Sequence, residues 1–535
     1  MLGRVITPTH RPLKKKSSPQ PRLLDKHLFE AGLQCQKRLW LDFNEPAKVE
    51  PGALRQAMSD AGDQLRLLAR SAFPKGVAIE ASEGNAAAAE TKQRIAEGVP
   101  VLFGATFVAD GAEARCDILV VHKDAAIDVF EIKSGTKANP RYVVDLALQA
   151  HVAQASGLQL RAAYLLTVNP KYVHKEGADY PPMQLLRSAD LTAKVLRHLD
   201  QVKRRLGHFR HAITDQGVLQ LPMGTFCTMP FACPHLARCS KEAPAAPLRE
   251  LPELTRQLEM ELHKEGIEDL ASLDQKREGL TFRQRRTLAC VQSGTATTEP
   301  FVQTELKQCS KPLHFLALAT VTEALPRFDG QRPWRQIPYG WSSHTVHADG
   351  RLETASFVHI ERTDPRPGFI ASLAKQLEVG GTIVCWNDTA LEELSSLLED
   401  LPASKSGVRA ILGTNHLDLM QLFDAGVFHP LVRSHADLRS SVAALLGDNS
   451  GSEVTVHDEE TLFDALQKAT APRVRAAKKE QFAAQITNSL TWASQRLLDL
   501  FNLHAGIEAA APKPKADAAA APKPKRLPKP LPKPQ

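Results

Sequence analysis

Short apolar runs alternate with polar breaks along most of the chain, and their spacing predicts an α/β protein. Strands are predicted where the runs are short and rich in β-branched residues, which in the first part of the chain are residues 101–108, 114–121, 127–133 and 160–168. Helical spacing of apolar positions occurs in the same part over residues 23–41, 55–73, 86–97, 141–156 and 185–211. The order of helices, three strands, a helix and a fourth strand predicts an α/β domain with a mixed sheet.

A second α/β pattern begins near residue 310. Its predicted strands are residues 314–321, 357–361, 382–386 and 410–412, and further helices are predicted over residues 248–293 and 473–507. The two ends of the chain are rich in Pro, Lys and Ala or Ser and are predicted to be disordered. The predicted segments are a tail (1–22), a first α/β domain (23–243), a helical linker (244–309), a second α/β domain (310–472), C-terminal helices (473–508) and a second tail (509–535).

Composition and charge narrow the functional classes. None of the apolar runs in the 535 residues reaches the length of about 18 that a membrane span needs, and the basic N-terminus lacks the apolar stretch of a secretory signal. A cytoplasmic protein with reduced cysteines and no membrane partner is therefore expected. The net charge of +7 comes from the tails, since residues 1–22 and 512–535 each carry +6 and the body carries −5. Nucleic-acid binding by the body would need a local basic patch, and the tails are either solubilising or weak DNA attachments.

Two neighbouring predicted strands carry the candidate chemistry. Glu131 and Lys133 are two residues apart on one strand and so point to one face, and Asp117 lies on the strand before it. Gln149 lies on the helix that follows. Carboxylates bind Mg²⁺ or Mn²⁺, and a nearby ammonium orients a water molecule or offsets charge on a phosphate. A Glu-x-Lys pair is also common on solvated strand faces, which is the alternative interpretation.

Three of the eight cysteines, Cys227, Cys233 and Cys239, lie within 13 residues of one another. Cys35 is the candidate for a fourth ligand, and four thiolates suit a structural zinc ion. Buried thiols without a metal are the alternative. The remaining cysteines lie in apolar segments and are expected in the core, and these are Cys116, Cys290, Cys309 and Cys385.

The strand pair with Asp117, Glu131, Lys133 and Gln149 resembles the site of the PD-(D/E)xK, restriction-endonuclease-like nuclease fold, in its RecB-like branch. The resemblance implies that Asp117 and Glu131 bind Mg or Mn, that Lys133 positions the attacking water, and that Gln149 completes the site. The metal-binding His often found on an early helix of this branch has no convincing counterpart between residues 56 and 97, where Glu90 is a substitute.

One N-terminal cysteine and three C-terminal ones around such a core also resemble the CRISPR-associated four-cysteine exonucleases and the AddB type. This resemblance implies that Cys35, Cys227, Cys233 and Cys239 hold a [4Fe–4S] cluster that joins the ends of the nuclease domain, with zinc as the alternative.

Four segments together resemble an uncharacterised bacterial family in which this nuclease domain precedes a ribonuclease-H-like domain of the DEDD exonuclease kind; they are residues 32–40, 115–133, 227–239 and 326–339. The first exonuclease motif of that family, Asp-x-Glu-Thr, aligns with Ala317, Ala319 and Thr320, so both carboxylates are replaced by alanine. Asn387 and Glu392 resemble the second motif, and Asp418 resembles a remnant of another. Without its carboxylates a two-metal site loses the charge that binds the ions, and the second domain is predicted to be inactive.

The sequence therefore predicts a metal-dependent DNA nuclease acting in repair, recombination or defence against foreign DNA. Its expected partners are single-stranded DNA or duplex ends, and RNA is an alternative substrate. The alternative from another class is a non-catalytic nucleic-acid-binding or scaffold protein derived from such a nuclease. Exonuclease and endonuclease action are both compatible with the sequence.

Overall fold

The structure is a computed structural model of the chain, and it describes residues 22–46, 52–82, 84–447 and 458–506. The two predicted tails lie outside the described residues, apart from Arg22. None of the helices within these ranges is long and apolar enough to cross a membrane.

The first sheet has six strands, which lie side by side in chain order. They are β1 (Gly76–Ala78), β2 (Val101–Ala109), β3 (Ala112–Val121), β4 (Ala126–Lys133), β5 (Gln159–Val168) and β6 (Leu186–Asp190). β1 pairs with β2 and β4 with β5 in parallel, and the other neighbours are antiparallel. The sheet is therefore mixed, and its centre is the predicted β3–β4 hairpin.

Helices cover both faces of this sheet. They are α1 (Lys26–Gln34), α2 (Gln36–Asn44), α3 (Ala53–Ser71), α4 (Gly84–Ala96), α5 (Pro140–Ala155), α6 (Pro182–Leu185), α7 (Thr192–Ala212) and α8 (Leu236–Cys239). Because successive strand residues point to opposite faces, Leu119 packs in the core with α1, α5 and α7, while Ile118 packs against α3. The deepest helix is α5, whose side chains from Leu146 to Leu148 are fully or almost fully buried.

The single long helix predicted over residues 185–211 is wrong in its first part. Leu186 is buried, and residues 186–190 pair with β5 as the edge strand β6. The helix begins after this strand, where the Asp190 carboxylate accepts a hydrogen bond from the backbone N–H of Thr192 at 2.8 Å. Asp190 therefore ends the strand and satisfies a free donor of the first helical turn.

The second sheet has five strands in the order β10–β9–β8–β11–β12. Its strands are β8 (Leu313–Thr322), β9 (Gln336–Val346), β10 (Leu352–Val358), β11 (Thr382–Cys385) and β12 (Asn415–Asp418). A separate two-stranded sheet is formed by β7 (Thr297–Thr298) and β13 (Val427–Phe428). β8, β9 and β10 form an antiparallel meander, and β11 and β12 add in parallel to the other side of β8. The chain is thus α/β with two mixed sheets.

The helices of this second part surround its sheet and extend to the end of the described chain. They are α9 (Arg256–Lys264), α10 (Phe282–Ser293), α11 (Pro300–Gln308), α12 (Arg366–Gln376), α13 (Thr389–Glu392), α14 (Leu397–Asp400), α15 (Lys405–Leu412), α16 (Leu419–Gly426), α17 (Leu438–Leu446), α18 (Glu459–Thr470) and α19 (Ala476–Ala505). Short 3₁₀ helices occupy Gln216–Gln220, Thr225–Cys227, Leu248–Glu250, Leu270–Ser272, Glu393–Ser396 and Pro402–Ser404.

Two strand predictions in this part are wrong, and four strands, β7, β9, β12 and β13, were missed. Residues 410–412 belong to α15, in which Val408 and Ile411 form the buried face of an amphipathic helix. The strand predicted at residues 357–361 lies earlier in the chain, as β10 (Leu352–Val358), and residues 359–361 follow its end. Of the missed strands, β9 contains the buried polar run 342–345, in which Ser342 and His344 bond to α19: His344 Nδ1 lies 2.9 Å from Ser494 Oγ. A strand with buried polar residues lacks the apolar run that identifies strands in sequence.

Helix α3 connects the two parts of the molecule. Its Leu65 and Ala69 pack on the first sheet in a cluster that includes Ala324 from the second part. Its other end, at Leu54 and Ala57, packs with Phe463 of α18. The two sheets therefore share apolar cores through one helix.

Candidate functional site

The β3–β4 hairpin brings Asp117 and Glu131 to one end of the first sheet. Ile118 pairs with Phe130, so Asp117 and Glu131 lie one step beyond the last paired residues. The Asp117 side chain is held in place because its Oδ2 atom accepts the backbone N–H of Ile132 at 2.8 Å. This arrangement agrees with the hairpin predicted from sequence.

Lys133 and Gln149 join this pair, and so does Asp145 from the same helix as Gln149. Lys133 Nζ lies 2.6 Å from Glu131 Oε1 and 2.7 Å from Asp145 Oδ2. Gln149 Nε2 donates to Glu131 Oε2 at 2.7 Å. All four residues that the sequence singled out therefore lie in one cluster, and Asp145 is an additional carboxylate one helical turn before Gln149.

Lys26 was not foreseen as part of the site. It lies at the first position of α1, after Asp25, whose side chain caps the helix. Its Nζ atom is 2.8 Å from Glu131 Oε1 and 2.5 Å from Asp145 Oδ2. Its position depends on how α1 packs against the sheet, which local sequence does not reveal.

Burial and charge set opposite ionisation preferences within the cluster. Burial raises the pKa of Asp117 to about 7, and the neighbouring Glu131 raises it as well. Burial and Glu131 likewise raise the pKa of Asp145 to about 6. Burial would also raise the pKa of Glu131, but Lys26 and Lys133 lower it to about 2. Glu131 is therefore the carboxylate that the two ammonium groups keep ionised.

A cavity of about 570 Å³ opens over Asp117 and Glu131, and we call it the carboxylate cavity. Five cationic side chains line it with these two acids: Lys26, Arg66, Arg70, Arg115 and Lys133. Gly104 opposite Asp117 has a left-handed backbone (φ +70°), and a Cβ there would lie 2.8 Å from the Arg115 guanidinium. Glycine thus leaves room for Arg115. An excess of cations around two carboxylates suits a ligand with several negative charges, such as a phosphate.

The donor atoms of this cavity suit a hard divalent ion, which prefers oxygen ligands. The Gln149 Oε1 atom is buried and has no hydrogen-bond partner within the described part of the chain, so it is an available acceptor. The carboxylates of Asp117, Glu131 and Asp145 do not all offer oxygens within 4.8 Å of one another. Two ammonium groups lie between Glu131 and Asp145, and an ion would have to displace one of them.

Glu90, expected as the substitute for a metal-binding His, does not reach the site. Its Oε2 atom accepts backbone N–H groups from Glu80 at 3.1 Å and from Ala81 at 2.9 Å, and Glu90 does not line the carboxylate cavity. The prediction is wrong because the Glu90 carboxylate accepts hydrogen bonds from backbone N–H groups just after β1. Among the described residues that line the cavity there is no histidine, and Arg66 and Arg70 of α3 face it instead.

The four selected cysteines, Cys35, Cys227, Cys233 and Cys239, line one small cavity. Cys35 lies in the break between α1 and α2, and Gln34 before it donates to the carbonyl oxygens of Phe226 and Phe231, each at 2.8 Å. Burial raises the pKa of the Cys35 thiol, and the nearby Cys239 raises it as well. The N-terminal cysteine and the C-terminal loop therefore meet, although 192 residues separate Cys35 from Cys227.

The four thiols do not have the spacing of a site for a single metal ion. No three of their sulfur atoms lie within 4.8 Å of one another, whereas a tetrahedral zinc site with Zn–S bonds of about 2.3 Å places sulfurs about 3.8 Å apart. The free space of about 20 Å³ holds little more than one ion or water molecule. A zinc ion would therefore need the sulfur atoms to move closer together. Of the other cysteines, Cys116, Cys290 and Cys385 are buried as expected, and Cys309 is half-buried.

In the second sheet, Ala317 and Ala319 lie on β8, where they pair with Ser342 and Gly340 of β9. Asp388, Glu392 and His416 offer ligand atoms within 4.8 Å of one another, the one such group among the described residues. Two of these three side chains are exposed. Asn387 and Asp418, taken as motif remnants, accept backbone N–H groups from Thr389 and Gln421 at 2.8 and 2.9 Å.

Comparison with known proteins gave a match only over the second sheet. Neither the curated proteins nor the solved structures include a match to the chain. Residues 314–436 match a family described as a domain of unknown function (DUF2779). This range contains β8 to β13 and leaves out the first sheet with the carboxylate cavity and the four cysteines. The chain is therefore similar to that family over its second sheet.

Proposed function

We propose that this protein is a metal-dependent DNA nuclease that hydrolyses phosphodiester bonds in the carboxylate cavity. The observation that carries the proposal is the convergence of Asp117, Glu131, Lys133 and Gln149 beneath a cavity with three arginines. Mg²⁺ or Mn²⁺ bound there would supply Lewis-acid activation of the phosphate and of a water molecule. Repair, recombination and defence against foreign DNA are the processes in which we expect it to act.

Each residue of the cluster has a role that follows from its contacts. Asp117 and Glu131 supply the oxygen ligands for the ion, and Asp117 is oriented by the Ile132 N–H. Lys133 orients the attacking water, because its ammonium already lies between Glu131 and Asp145. Gln149 fixes the orientation of Glu131 through its N–H donor and leaves its amide oxygen for the ion or a water molecule. Such pre-organised donors and charges account for much of phosphoryl-transfer catalysis.

The arginines of the cavity provide the recognition of the substrate. Arg66 and Arg70 are one helical turn apart on α3, and Arg115 comes from β3. Guanidinium groups bind phosphate oxygens through two parallel hydrogen bonds and remain charged at every physiological pH. We infer that they hold the phosphate being cleaved and a neighbouring one.

The topology supports the assignment of the two domains. Three antiparallel strands followed by α5 and the parallel strand β5 agree with a PD-(D/E)xK core of the RecB-like type. The order β10–β9–β8–β11–β12 agrees with a ribonuclease-H-like sheet. With Ala317 and Ala319 at the motif positions on β8, the second domain acts without catalysis in this proposal, as a binding or structural unit.

We also propose that Cys35, Cys227, Cys233 and Cys239 hold a [4Fe–4S] cluster, with a zinc ion as the alternative. The meeting of these four thiols across the ends of the first domain supports this proposal. The cluster would fasten α1 and α2 to the loop before α8 and thereby stabilise the helix that carries Lys26.

One observation favours a non-catalytic alternative, in which the protein binds nucleic acid without cutting it. Lys26 bridges Glu131 and Asp145, so an ammonium already neutralises the carboxylates that an ion would use. If Lys26 never leaves, the cavity is a phosphate-binding site alone.

The test is a nuclease assay on single-stranded and duplex DNA with Mn²⁺, comparing the unmodified protein with Lys133→Ala and Asp117→Asn. We expect both variants to lose at least about 100-fold in rate, since each removes a group that acts on the water or the ion. Lys137→Ala is the matched control, because Lys137 is an exposed lysine four residues further along the chain. Equal cleavage by the Lys133 variant would exclude this site. Binding without cleavage by any form would favour the alternative, and RNA of the same sequence tests the substrate class.

A further inference from the structure

A second cavity, of about 510 Å³, lies between the two sheets and adjoins the carboxylate cavity. We call it the interdomain cavity. Met58 and Ser134 line both cavities, and Ser134 directly follows Lys133. Each volume falls within the range of about 300–1,000 Å³ that is typical of sites for small molecules. The two cavities therefore form one continuous binding surface that begins beside the candidate water-positioning lysine.

The interdomain cavity has the groups that recognise a planar, uncharged ring. Tyr180 and Trp334 contribute aromatic side chains to its wall, and Leu54, Ala57 and Leu325 contribute aliphatic ones. The amide side chains of Gln64 and Gln467 are exposed at its edge. Aromatic rings that stack on bases and amides that bond to base edges are the usual features of nucleobase sites.

The charges of the two cavities differ in sign. Five cations and two carboxylates line the carboxylate cavity. The described residues around the interdomain cavity include one arginine, Arg327, which is paired with Glu323 at 2.7 Å, and the further acids Asp60 and Glu459. A phosphate is thus attracted to the first cavity and repelled from the second. An uncharged base has no such penalty.

Hydrogen bonds hold the residues that the second domain contributes to this cavity close to the candidate active site. Trp334 Nε1 donates a hydrogen bond to the Ser134 carbonyl oxygen at 2.6 Å. Tyr180 of the first domain donates to the Pro326 carbonyl oxygen at 2.9 Å. These bonds fix the loop between β8 and β9 against the end of β4 and against the segment before α6, so the second domain contributes to the surface that a bound strand touches.

We propose that the interdomain cavity binds one unpaired base of the DNA strand whose phosphate lies in the carboxylate cavity. The second domain then selects single-stranded DNA, although it has lost its own carboxylates. A base within a duplex is paired and stacked, and bringing it out of the stack into this cavity costs a few kcal/mol that a single strand does not spend. Met58, with 51% of its surface exposed, lies where the sugar would pass from one cavity to the other. This inference rests on the proposed function for the identity of the ligand.

The direct test is photo-cross-linking of the full chain in EDTA, so that no cleavage is needed. The probe is a single-stranded oligonucleotide with one 5-iodouracil, and the control is the same strand in a blunt duplex. We expect the single strand to cross-link to Trp334 or Tyr180, as mapped by mass spectrometry, and the duplex to give at least about tenfold less product. Cross-links confined to other surfaces, or equal yields from strand and duplex, would overturn the proposal.

The second test fills the cavity without touching the carboxylate cluster. Ala57→Trp places an indole in the interdomain cavity, and Ala89→Trp, at an exposed position of another helix, is the matched control. In fluorescence anisotropy with EDTA, we expect Ala57→Trp to weaken binding of the single strand about tenfold, as expected for the loss of one stacked base. The control variant should bind like the unmodified protein. Unchanged binding by a folded Ala57→Trp protein contradicts the proposal, and if that variant does not fold, the cross-linking result decides.

These outcomes separate the inference from the proposed nuclease activity. Cross-linking at Trp334 or Tyr180 by a protein that never cleaves DNA would support the base site and contradict the nuclease. Cleavage that depends on Lys133, with no cross-link in the interdomain cavity, would do the reverse.

Discussion

Replacing Lys26 by methionine tests the electrostatics of the carboxylate cluster independently of any activity. Lys26→Met removes an ammonium that lies 2.8 Å from Glu131 and 2.5 Å from Asp145 while keeping most of the side-chain volume. Removing one member of a buried ion pair costs about 3–5 kcal/mol. Lys133 still contacts both carboxylates, and 39% of the Lys26 side chain is exposed, so solvent screens part of the effect. We therefore expect a loss of about 1–2 kcal/mol in the free energy of unfolding.

In thermal unfolding with EDTA, this loss corresponds to a melting temperature about 2–4 °C lower for an unfolding unit the size of the first domain. Mn²⁺ should bind more tightly to Lys26→Met than to the unmodified protein. In the unmodified protein, an ion must first displace Lys26 from Glu131. The free energy of that displacement, about 1–2 kcal/mol, predicts that Lys26→Met binds Mn²⁺ about 5–30-fold more tightly. Isothermal titration calorimetry measures this affinity, and the thermal shift at increasing Mn²⁺ provides a second measurement.

Lys92→Met is the control, since Lys92 is exposed on α4 and does not line the carboxylate cavity. Its melting temperature should equal that of the unmodified protein. If Lys26→Met is as stable as the unmodified protein in EDTA and its Mn²⁺ affinity is unchanged, Lys26 does not pair with these carboxylates in solution. The ion-pair geometry, and the non-catalytic alternative that depends on it, would then be rejected.

Three further predictions concern the surroundings of the site and the second domain. Gly32→Ala should lower the melting temperature, because the new Cβ would lie 2.8 Å from the buried ring of Phe209, and the overpacking cost of about 1–3 kcal/mol exceeds the helix-propensity gain of about 1 kcal/mol. Burial, with a contribution from His435, lowers the pKa of His504 to about 4, so the unfolded chain binds a proton first as the pH falls. Between pH 6.5 and 4 the fold should lose up to about 3 kcal/mol, measured by urea unfolding, and His504→Leu should abolish that part of the pH dependence. Anaerobically purified protein should be brown, with broad visible absorption and several irons per chain, and Cys35→Ser should be pale; a colourless protein with one zinc would contradict the cluster.

The central hairpin could be predicted from sequence because it depends on local patterns. Its two strands have β-branched, apolar runs separated by a short polar break, and residues two apart on a strand share a face whatever the rest of the fold does. Gln149 was included because of the family resemblance, and in the structure its Nε2 atom lies 2.7 Å from Glu131 Oε2. The local pattern alone gave the helix but not its orientation over the sheet.

The rest of the site depends on packing between distant segments. Lys26 and the arginines of α3 reach the carboxylate cavity because two helices lie against opposite faces of the first sheet. The periodicity of apolar residues in the sequence does not indicate which face of the sheet each helix packs against. Strand β9 was missed for a different reason, because its buried Ser342, His344 and Thr345 bond to other elements, among them α19, which is more than 140 residues away. When the hydrogen-bond partners of polar residues are distant in the sequence, a short stretch that contains these residues resembles a loop.

The sharing of α3 between the two sheets has a practical consequence for studying either one alone. A fragment ending at residue 243 would retain α3 but lose Ala324 and Phe463, which cover its two ends. It would also leave the Ser134 carbonyl without the Trp334 indole as its donor. Newly exposed apolar surface of this kind promotes aggregation and shifts neighbouring side chains. Loss of activity on truncation would then measure damage to α3 and to the end of β4 and would not report what the second domain contributes, which point substitutions in the intact chain can isolate.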